Sequence, residues 1–295
     1  VARPAGGAPS ITAVVTAFDQ GELVADAVAS VRRQTLRPVE ILVVDDGSTD
    51  DASLAVLDRL AADRGLGCRV LHRPNGGVSA ARNTGIAAAG TALVAVLDGD
   101  DAFAPTFLER TAALLDEQPE LRAASSWLHA HGAIDAVVRP AGGTAVHFLH
   151  RNAAPAAVLL RRDAWAACGG YDESMRSGFE DWDFFLALLA DGGAIGIVPE
   201  PLIEYRTAPA SSNLRSMAGR LDRYGELIDR HRPLFERHLR EALLALEARA
   251  IAADGRWEDL VAADPALEVG EVSYGDGGMA AAVRIATRRA ARPTD

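Results

Sequence analysis

Along the first hundred residues, short unbroken apolar runs alternate with stretches in which apolar positions recur every three or four residues. Residues 11–17 (ITAVVTA) and 39–45 (VEILVVD) are β-branched and end in polar residues, the pattern of strands buried on both faces of a parallel sheet. Between them Leu23, Ala27, Val31 and Thr35 keep helical spacing and predict a helix over 22–34; Leu54, Leu57, Leu60 and Ala61 do the same over 50–62. CRVLH (68–72) and ALVAVLD (92–98) read as further strands, with a helix over 78–90 between them. Strands alternating with helices predict an α/β fold, Rossmann-like, with a mostly parallel central sheet flanked by helices.

Beyond residue 104 the pattern loosens. A helix is expected over 105–117, with Pro105 near its start. Residues 121–150 read as irregular, and the Gly/Pro-rich stretch Arg139–Gly143 as a mobile lid. A helix over 181–190 precedes a strand at 194–198, and residues 214–253 show helical periodicity interrupted at Pro233. A last helical pattern covers 279–292, where Arg284, Arg288 and Arg292 share a face suited to an anionic membrane, to solvent or to another copy of the chain. The expected organisation is a flexible segment over 1–10, a principal domain over 11–212 divided at 104/105, and a mainly helical region over 213–295.

Composition narrows the function. Of 295 residues, 41 are acidic and 30 are Lys or Arg, a net charge of −11 that argues against a general nucleic-acid binder. Two cysteines, Cys68 and Cys168, are too few for a disulfide scaffold or a structural zinc site and read as buried thiols. With no apolar run of about 18 residues and no signal-peptide layout at the start, the expectation is a cytoplasmic protein, at most peripheral to the inner face of a membrane.

Candidate chemistry gathers at the carboxyl ends of the strands, where open α/β sheets bind ligands. Thr16, Phe18 and Asp19 follow the first strand; Asp45, Asp46, Gly47 and Ser48 the second; Asp98, Gly99, Asp100 and Asp101 the fourth. Carboxylates converging on one edge repel one another unless a cation or hydrogen-bond donors compensate them. Oxygen ligation suits Mg²⁺ or Mn²⁺ carried with a diphosphate. Turn and helix-cap roles account for some of these residues as well. In PNGGVSAARNTG (74–85), Arg82 offers planar donors to a base or phosphate, or pairs with a nearby Asp. In GFEDWDFF (178–185), Glu180 and Asp181 open a helix beside Trp182, an arrangement able to accept a hydroxyl proton next to a sugar ring.

The ordered set VVDDGSTDD, NGGVSAARNTG, LDGDD, GGYDE…FEDWD and EPLIEYR resembles the inverting nucleotide-sugar glycosyltransferases of family 2, which have the GT-A fold. The resemblance implies a nucleotide-binding half over 11–104 and an acceptor-binding half over 105–212. It implies that Asp46, supported by Asp45, meets the nucleotide base, with Thr16, Phe18, Asp19 and Arg82 around it. Asp98 and Asp100 become a DxD motif at the ribose and the divalent metal, Mn²⁺ or Mg²⁺, with Gly99 between them and Asp101 extending it. Asp181, in a pair with Glu180, becomes the base that deprotonates the acceptor hydroxyl, and Trp182 and Asp101 line the acceptor or sugar pocket.

Two departures stand out. The family's first loop usually reads Pro-x-Tyr-Asn, whereas here it is Thr16-Ala17-Phe18-Asp19, and the segment after EYR carries no histidine. The implied donor is a nucleotide sugar, UDP-linked in the first instance, and the acceptor a glycan, a lipid-linked molecule or a small molecule, read by residues 125–160 and the C-terminal region. His129, His131, His147 and His150 lie in that stretch. The competing functions are an inactive nucleotide-binding scaffold and a sugar-1-phosphate nucleotidyltransferase; the second expects a glycine-rich basic loop after the first strand, which TAFDQGEL does not offer.

Overall fold

β1 (Ile11–Ala17) is buried along its whole length because it has a parallel neighbour on each side, β2 (Glu40–Asp45) and β4 (Leu93–Asp98). The computed structural model describes residues 9–63, 67–208, 217–270, 272 and 277–291. The expected flexible segment therefore lies outside the described residues except for its last two, as do Arg292 and residues 209–216 after the EYR motif. β3 (Cys68–His72) pairs in parallel with β2 and completes a four-stranded parallel half in the order β3-β2-β1-β4.

Three helices cover this half. α1 (Leu23–Arg32) buries Val24, Ala27, Val28 and Val31. α2 (Asp51–Ala62) is capped by the Asp50 carboxylate, which accepts from Ser53 N at 2.8 Å. Its inner face is Ser53, Val56, Leu57 and Leu60; Leu54, expected on that face, is exposed. α3 (Val78–Ala88) crosses β1 and β2 at Gly85.

Past β4 the sheet turns mixed, following the order β4-β8-β6-β9-β5 with β7 on β6. These strands are β5 (Ala102–Phe103), β6 (Leu121–Gly132), β7 (Ala136–Val138), β8 (Val158–Arg161) and β9 (Ala194–Thr207). The expected irregular segment at 121–150 is instead opened by the twelve-residue strand β6. Its Ala and Ser content hides a central strand; Ser125 stays dry by donating to the Ala157 carbonyl at 2.6 Å. β9 runs well past the expected end at Val198, through Pro199 and Pro201, and the register slips opposite Ser126–Leu128 where Pro201 sits. The Arg139–Gly143 stretch is no free lid. Gly142 N donates to the Ala153 carbonyl at 2.9 Å, Gly143 exchanges hydrogen bonds with Ile195, and Arg139 lies over the Trp127 ring.

α4 (Phe107–Glu117), α5 (Ala145–Phe148), α6 (Arg162–Ala167) and α7 (Glu180–Leu189) surround the mixed half. α8 (Arg220–Arg230) docks on α7: the Tyr224 ring stacks on Trp182, and His231, just past α8, meets Asp183 at 2.9 Å. The helical run is interrupted at His231, as expected next to Pro233, which sits in the first turn of α9 (Arg232–Arg237), where its missing N–H costs little.

The chain divides into two compact units, residues 1–236 and 237–295. The second holds α10 (Leu239–Ala263) and α11 (Gly278–Ala290), packed through Val261, Ala262 and Ile285. Among the described residues no helix is long and apolar enough to cross a membrane. Cys68 and Cys168 are half-buried free thiols, the first pushed up to about 11 by burial.

Gly85 is where α3 comes closest to the sheet. A Cβ there would collide with the Val14 methyls and lie 3.1 Å from Val44 Cγ2. Gly85→Ala should therefore destabilise the first unit by about 1–3 kcal/mol through overpacking. Thermal unfolding checks this, the expected result being a midpoint several degrees lower.

Candidate active site

The loops after β1 and β2 are latched to each other before any ligand is considered. Asp19 sits in the left-handed region at φ 48°, which Asp tolerates better than most residues. Its carboxylate accepts from Thr49 N at 2.6 Å, Thr49 Oγ1 at 3.1 Å and Asp50 N at 3.2 Å. The Thr49 backbone bond above all holds this carboxyl below the usual range. Ser48 Oγ accepts the Asp19 N–H in return at 3.1 Å. Phe18 is exposed on the rim beside it.

Asp45 and Asp46 are both buried and both occupied. Asp45 accepts from Ser48 N at 2.9 Å and meets His72 Nδ1 at 2.9 Å. Asp46 pairs with Arg73 and accepts from the N–H groups of Gly76 at 3.0 Å and Gly77 at 2.7 Å. It thereby shapes the turn that starts α3. Gly47, at φ 77°, leaves room for that turn, since a Cβ there would lie 2.8 Å from Asn75 N.

α3 carries Arg82 inward to the centre of the site, where it is 1% exposed. Nη2 donates to both oxygens of Asp98, at 2.9 and 2.8 Å, and Nη1 to Glu180 at 3.1 Å. Its Cζ lies 5.4 Å from the centre of the Tyr171 ring. Burial disfavours the charge, but Asp98 and Glu180 more than compensate and hold the guanidinium cationic. Removing one partner from such a buried arrangement costs about 3–5 kcal/mol. Of its two sequence alternatives, Arg82 thus takes the pairing with acids, with Asp98 and with Glu180 98 positions away.

Asp98 also accepts from Thr16 Oγ1 at 3.1 Å, tying the ends of β1 and β4 together. Gly99 lets them approach; a Cβ there would strike the Thr16 carbonyl and the Gln20 amide oxygen. Asp100 is half-buried, and burial followed by the Asp98 charge raises its carboxyl. The same two causes push Asp101 up to about 8. Asp101 is not pocket lining: it is buried and accepts the Arg206 N–H at 2.9 Å, anchoring the loop to β9. Among the described residues no group of three His, Cys, Asp or Glu is placed to hold a metal ion.

Across from the strand ends, α7 begins directly after Phe179, which is left-handed at φ 68°. That kink points the first turn, Glu180 and Asp181, toward α3. Asp181 is half-buried; its Oδ1 accepts from Trp182 N and its Oδ2 from Asn152 Nδ2, each at 2.8 Å. Burial, and then the Glu180 charge, push its carboxyl up to about 7, against the pull of Arg82 and the two hydrogen bonds. Trp182 belongs beneath the site and does not line it. It is 2% exposed, and its indole N–H donates to the Phe148 carbonyl at 2.6 Å.

Several supporting residues had little or no sequence signal. Asn83, next to Arg82, accepts from Tyr171 N at 2.9 Å and Trp165 Nε1 at 3.1 Å and donates to the Tyr171 carbonyl at 2.8 Å, fastening the GGYDE segment to α3. Its place in the ARN triplet was the available clue. Asn152, His72 and Arg73 act across the fold on Asp181, Asp45 and Asp46, and nothing local marks them. Of the candidate histidines, His129 bridges Glu204 at 2.7 Å and Asp135 at 2.9 Å, and His147 lies near Thr144.

Residues 12–137 match the model of the Glycosyl transferase family 2 family. The succinoglycan biosynthesis protein ExoU of Rhizobium meliloti is 32% identical over 205 residues, covering 63% of this chain and 58% of that protein. The uncharacterized glycosyltransferase EpsJ of Bacillus subtilis is 35% identical over 102 residues, 35% of this chain and 29% of the relative. The matches therefore span less than two thirds of either relative. Among solved structures, S. aureus TarS 1–349 in complex with UDP-GlcNAc superposes with a TM-score of 0.58 at 17% identity, covering 71% of this chain and 61% of that one. The ordered motifs and these matches converge: residues 12–137 are similar to glycosyl transferase family 2, and the chain has the GT-A fold.

Proposed function

We propose that the protein is an inverting glycosyltransferase that moves a sugar from a nucleoside diphosphate, UDP in the first instance, to an acceptor hydroxyl. One observation carries this reading: a single buried guanidinium, Arg82, ties Asp98 at the donor end of β4 to Glu180, which adjoins Asp181. In this reading the strand-end acids and a candidate base are held side by side by one residue. The comparisons add support, since the relative EpsJ bears a glycosyltransferase name and a solved protein of this fold is described with UDP-GlcNAc bound.

The nucleotide is placed along Thr16–Asp19, Asp45–Asp46 and Arg82, with the diphosphate toward Asp98 and Asp100. Asp181 takes the acceptor proton; the new C–O bond forms on the face opposite the diphosphate as the bond to the diphosphate oxygen breaks. A carboxyl raised toward neutrality suits this task, being ionised enough to accept a proton and basic enough to hold it. Asn152 and the Trp182 N–H orient it.

The residues fit a divalent cation at Asp98 and Asp100. Arg82 spends its charge on Asp98 and Glu180, and burial first, then the Asp98 charge, raises the carboxyls of Asp100 and Asp101, so a cation beside Asp98 and Asp100 would favour their ionised forms. With only two carboxylates offered, the remaining ligands belong to the diphosphate and water. When bound, the cation supplies charge compensation to the leaving diphosphate. The scaffold alternative has less support because Asp98, Asp100 and Asp181 are all in place.

Asp181→Asn is expected to lower transfer by about 10²–10⁴-fold while leaving UDP affinity by calorimetry nearly unchanged; transfer at the wild-type rate would remove Asp181 from the role of base. Because the base works ionised, wild-type transfer should rise with pH up to about 7 and then level. Asn152→Leu, which keeps the volume but removes the donor to ionised Asp181, should move that rise to higher pH; an unmoved profile would mean Asn152 does not orient the base. For the metal, Asp100→Ala should abolish any gain in UDP affinity that Mn²⁺ brings. Equal Mn²⁺ dependence in the two proteins would sink that assignment.

A further inference from the structure

The Asp181 carboxylate receives two hydrogen bonds, one from the Trp182 N–H and one from Asn152 Nδ2. Asn152 stands on the segment that leaves α5, a helix of one turn, whose last carbonyls find no partner inside it. Those carbonyls are buried with Phe148 and Leu149, so side chains must supply the donors. The Trp182 indole N–H donates to the Phe148 carbonyl at 2.6 Å, and the Tyr224 hydroxyl to the Leu149 carbonyl at 2.5 Å. The two donor rings stack on each other, with centroids 5.4 Å apart and planes at 24°.

Tyr224 comes from α8, a short and mostly polar helix in which Leu227 is the fully buried residue. So short a helix with so little apolar burial is held in place by specific contacts. Arg220 Cζ lies 5.8 Å from the centre of the Phe179 ring and 5.7 Å from that of Trp182. His231 meets Asp183 at 2.9 Å, and Arg230 donates to Asp172 and Ser174. Three of the residues so gripped flank the acidic pair Glu180–Asp181: Phe179 before it, Trp182 and Asp183 after it.

The ring of Tyr224 fixes Trp182, whose backbone N–H is one donor to Asp181. Its hydroxyl fixes Leu149, three residues before Asn152, the other donor. Both hydrogen bonds to the carboxylate therefore come from segments that Tyr224 holds. We propose that Tyr224 is a positioning residue for Asp181, acting through the Leu149–Asn152 segment, an assignment that rests on Asp181 being the base. The hydroxyl is the part that matters here: a phenylalanine would keep the stack but leave the buried Leu149 carbonyl without its donor and the segment free to shift.

Tyr224→Phe makes that change. With isotope-labelled Asp carboxyls in metal-free buffer, the Asp181 signal, identified by its loss in Asp181→Asn, can be titrated by NMR. Asn152 favours the ionised form, so loosening it should raise the Asp181 midpoint, by up to about one pH unit. The titratable and charged groups facing Asp181, namely Glu180 on α7, Arg82 on α3 and Tyr171 on the GGYDE segment, are unchanged in the variant. On an Asn152→Leu background Tyr224→Phe should add nothing, because the route is already cut. Leu227→Ala loosens the same helix contact but spares the hydroxyl; it should lower the unfolding temperature and leave the Asp181 titration in place. An unmoved midpoint in Tyr224→Phe overturns the proposal, as does an equal shift in Leu227→Ala, which would reduce Tyr224 to general packing. Additive shifts overturn the route through Asn152. The titration uses no substrate, so its failure is distinct from failure of Asp181 as base, which sugar transfer by Asp181→Asn decides.

Discussion

The arrangement of this site depends on the burial of one positive charge. Arg82 has almost no contact with water, so its charge must be met by protein acids, and the two that meet it come from distant parts of the chain: Asp98 from the end of a strand, Glu180 from the start of a helix. A guanidinium serves where an ammonium would not, because its planar fork holds two nitrogens apart, Nη2 on Asp98 and Nη1 on Glu180. The Tyr171 ring beside it and the Thr16 hydroxyl on Asp98 extend the same network to the GGYDE segment and to β1. Loss of this cation would leave Asp98, Asp100, Asp101, Glu180 and Asp181 mutually repelling in one half-buried region.

Around that centre, two kinds of carboxylate coexist. Asp19, Asp45 and Asp46 are supplied with backbone and side-chain donors and act as architecture, holding loops in the shape of a pocket edge. Asp100 and Asp181 have fewer donors than their burial demands, which raises both toward the neutral form. Shortage of compensation is common in reactive or ligand-binding acids, but it does not by itself mark one: Asp101 is raised too and anchors its loop to β9. The division separates groups that a motif alone would treat as equals.

The second unit is built on a different logic. Its two helices share a small contact of Val261, Ala262 and Ile285, far less than an independent core of ordinary size requires. Ion pairs add to that contact, Arg284 with Glu258 and Arg288 with Asp259, so charge as well as apolar burial joins the two helices.

Much of the first hundred residues was legible because periodicity is a local property. Strands buried on both faces must be continuously apolar, and helices lying on them must repeat near 3.6, so β1 to β4 and the helices between them could be placed, and the acids after them assigned to one edge. β6 was not legible, since a central strand made of Ala and Ser acquires its burial only from β8 and β9. Trp182 looked like pocket lining because sequence shows its neighbours but not the Phe148 carbonyl that claims its N–H. Asn152 lies 29 positions from Asp181. Residue types and their order along the chain determined the sheet, its ligand-binding edge and the candidate acids. Which acids are satisfied and which are left in want of a partner was decided by tertiary structure alone, because hydrogen bonding and desolvation depend on distances between segments that no local pattern encodes.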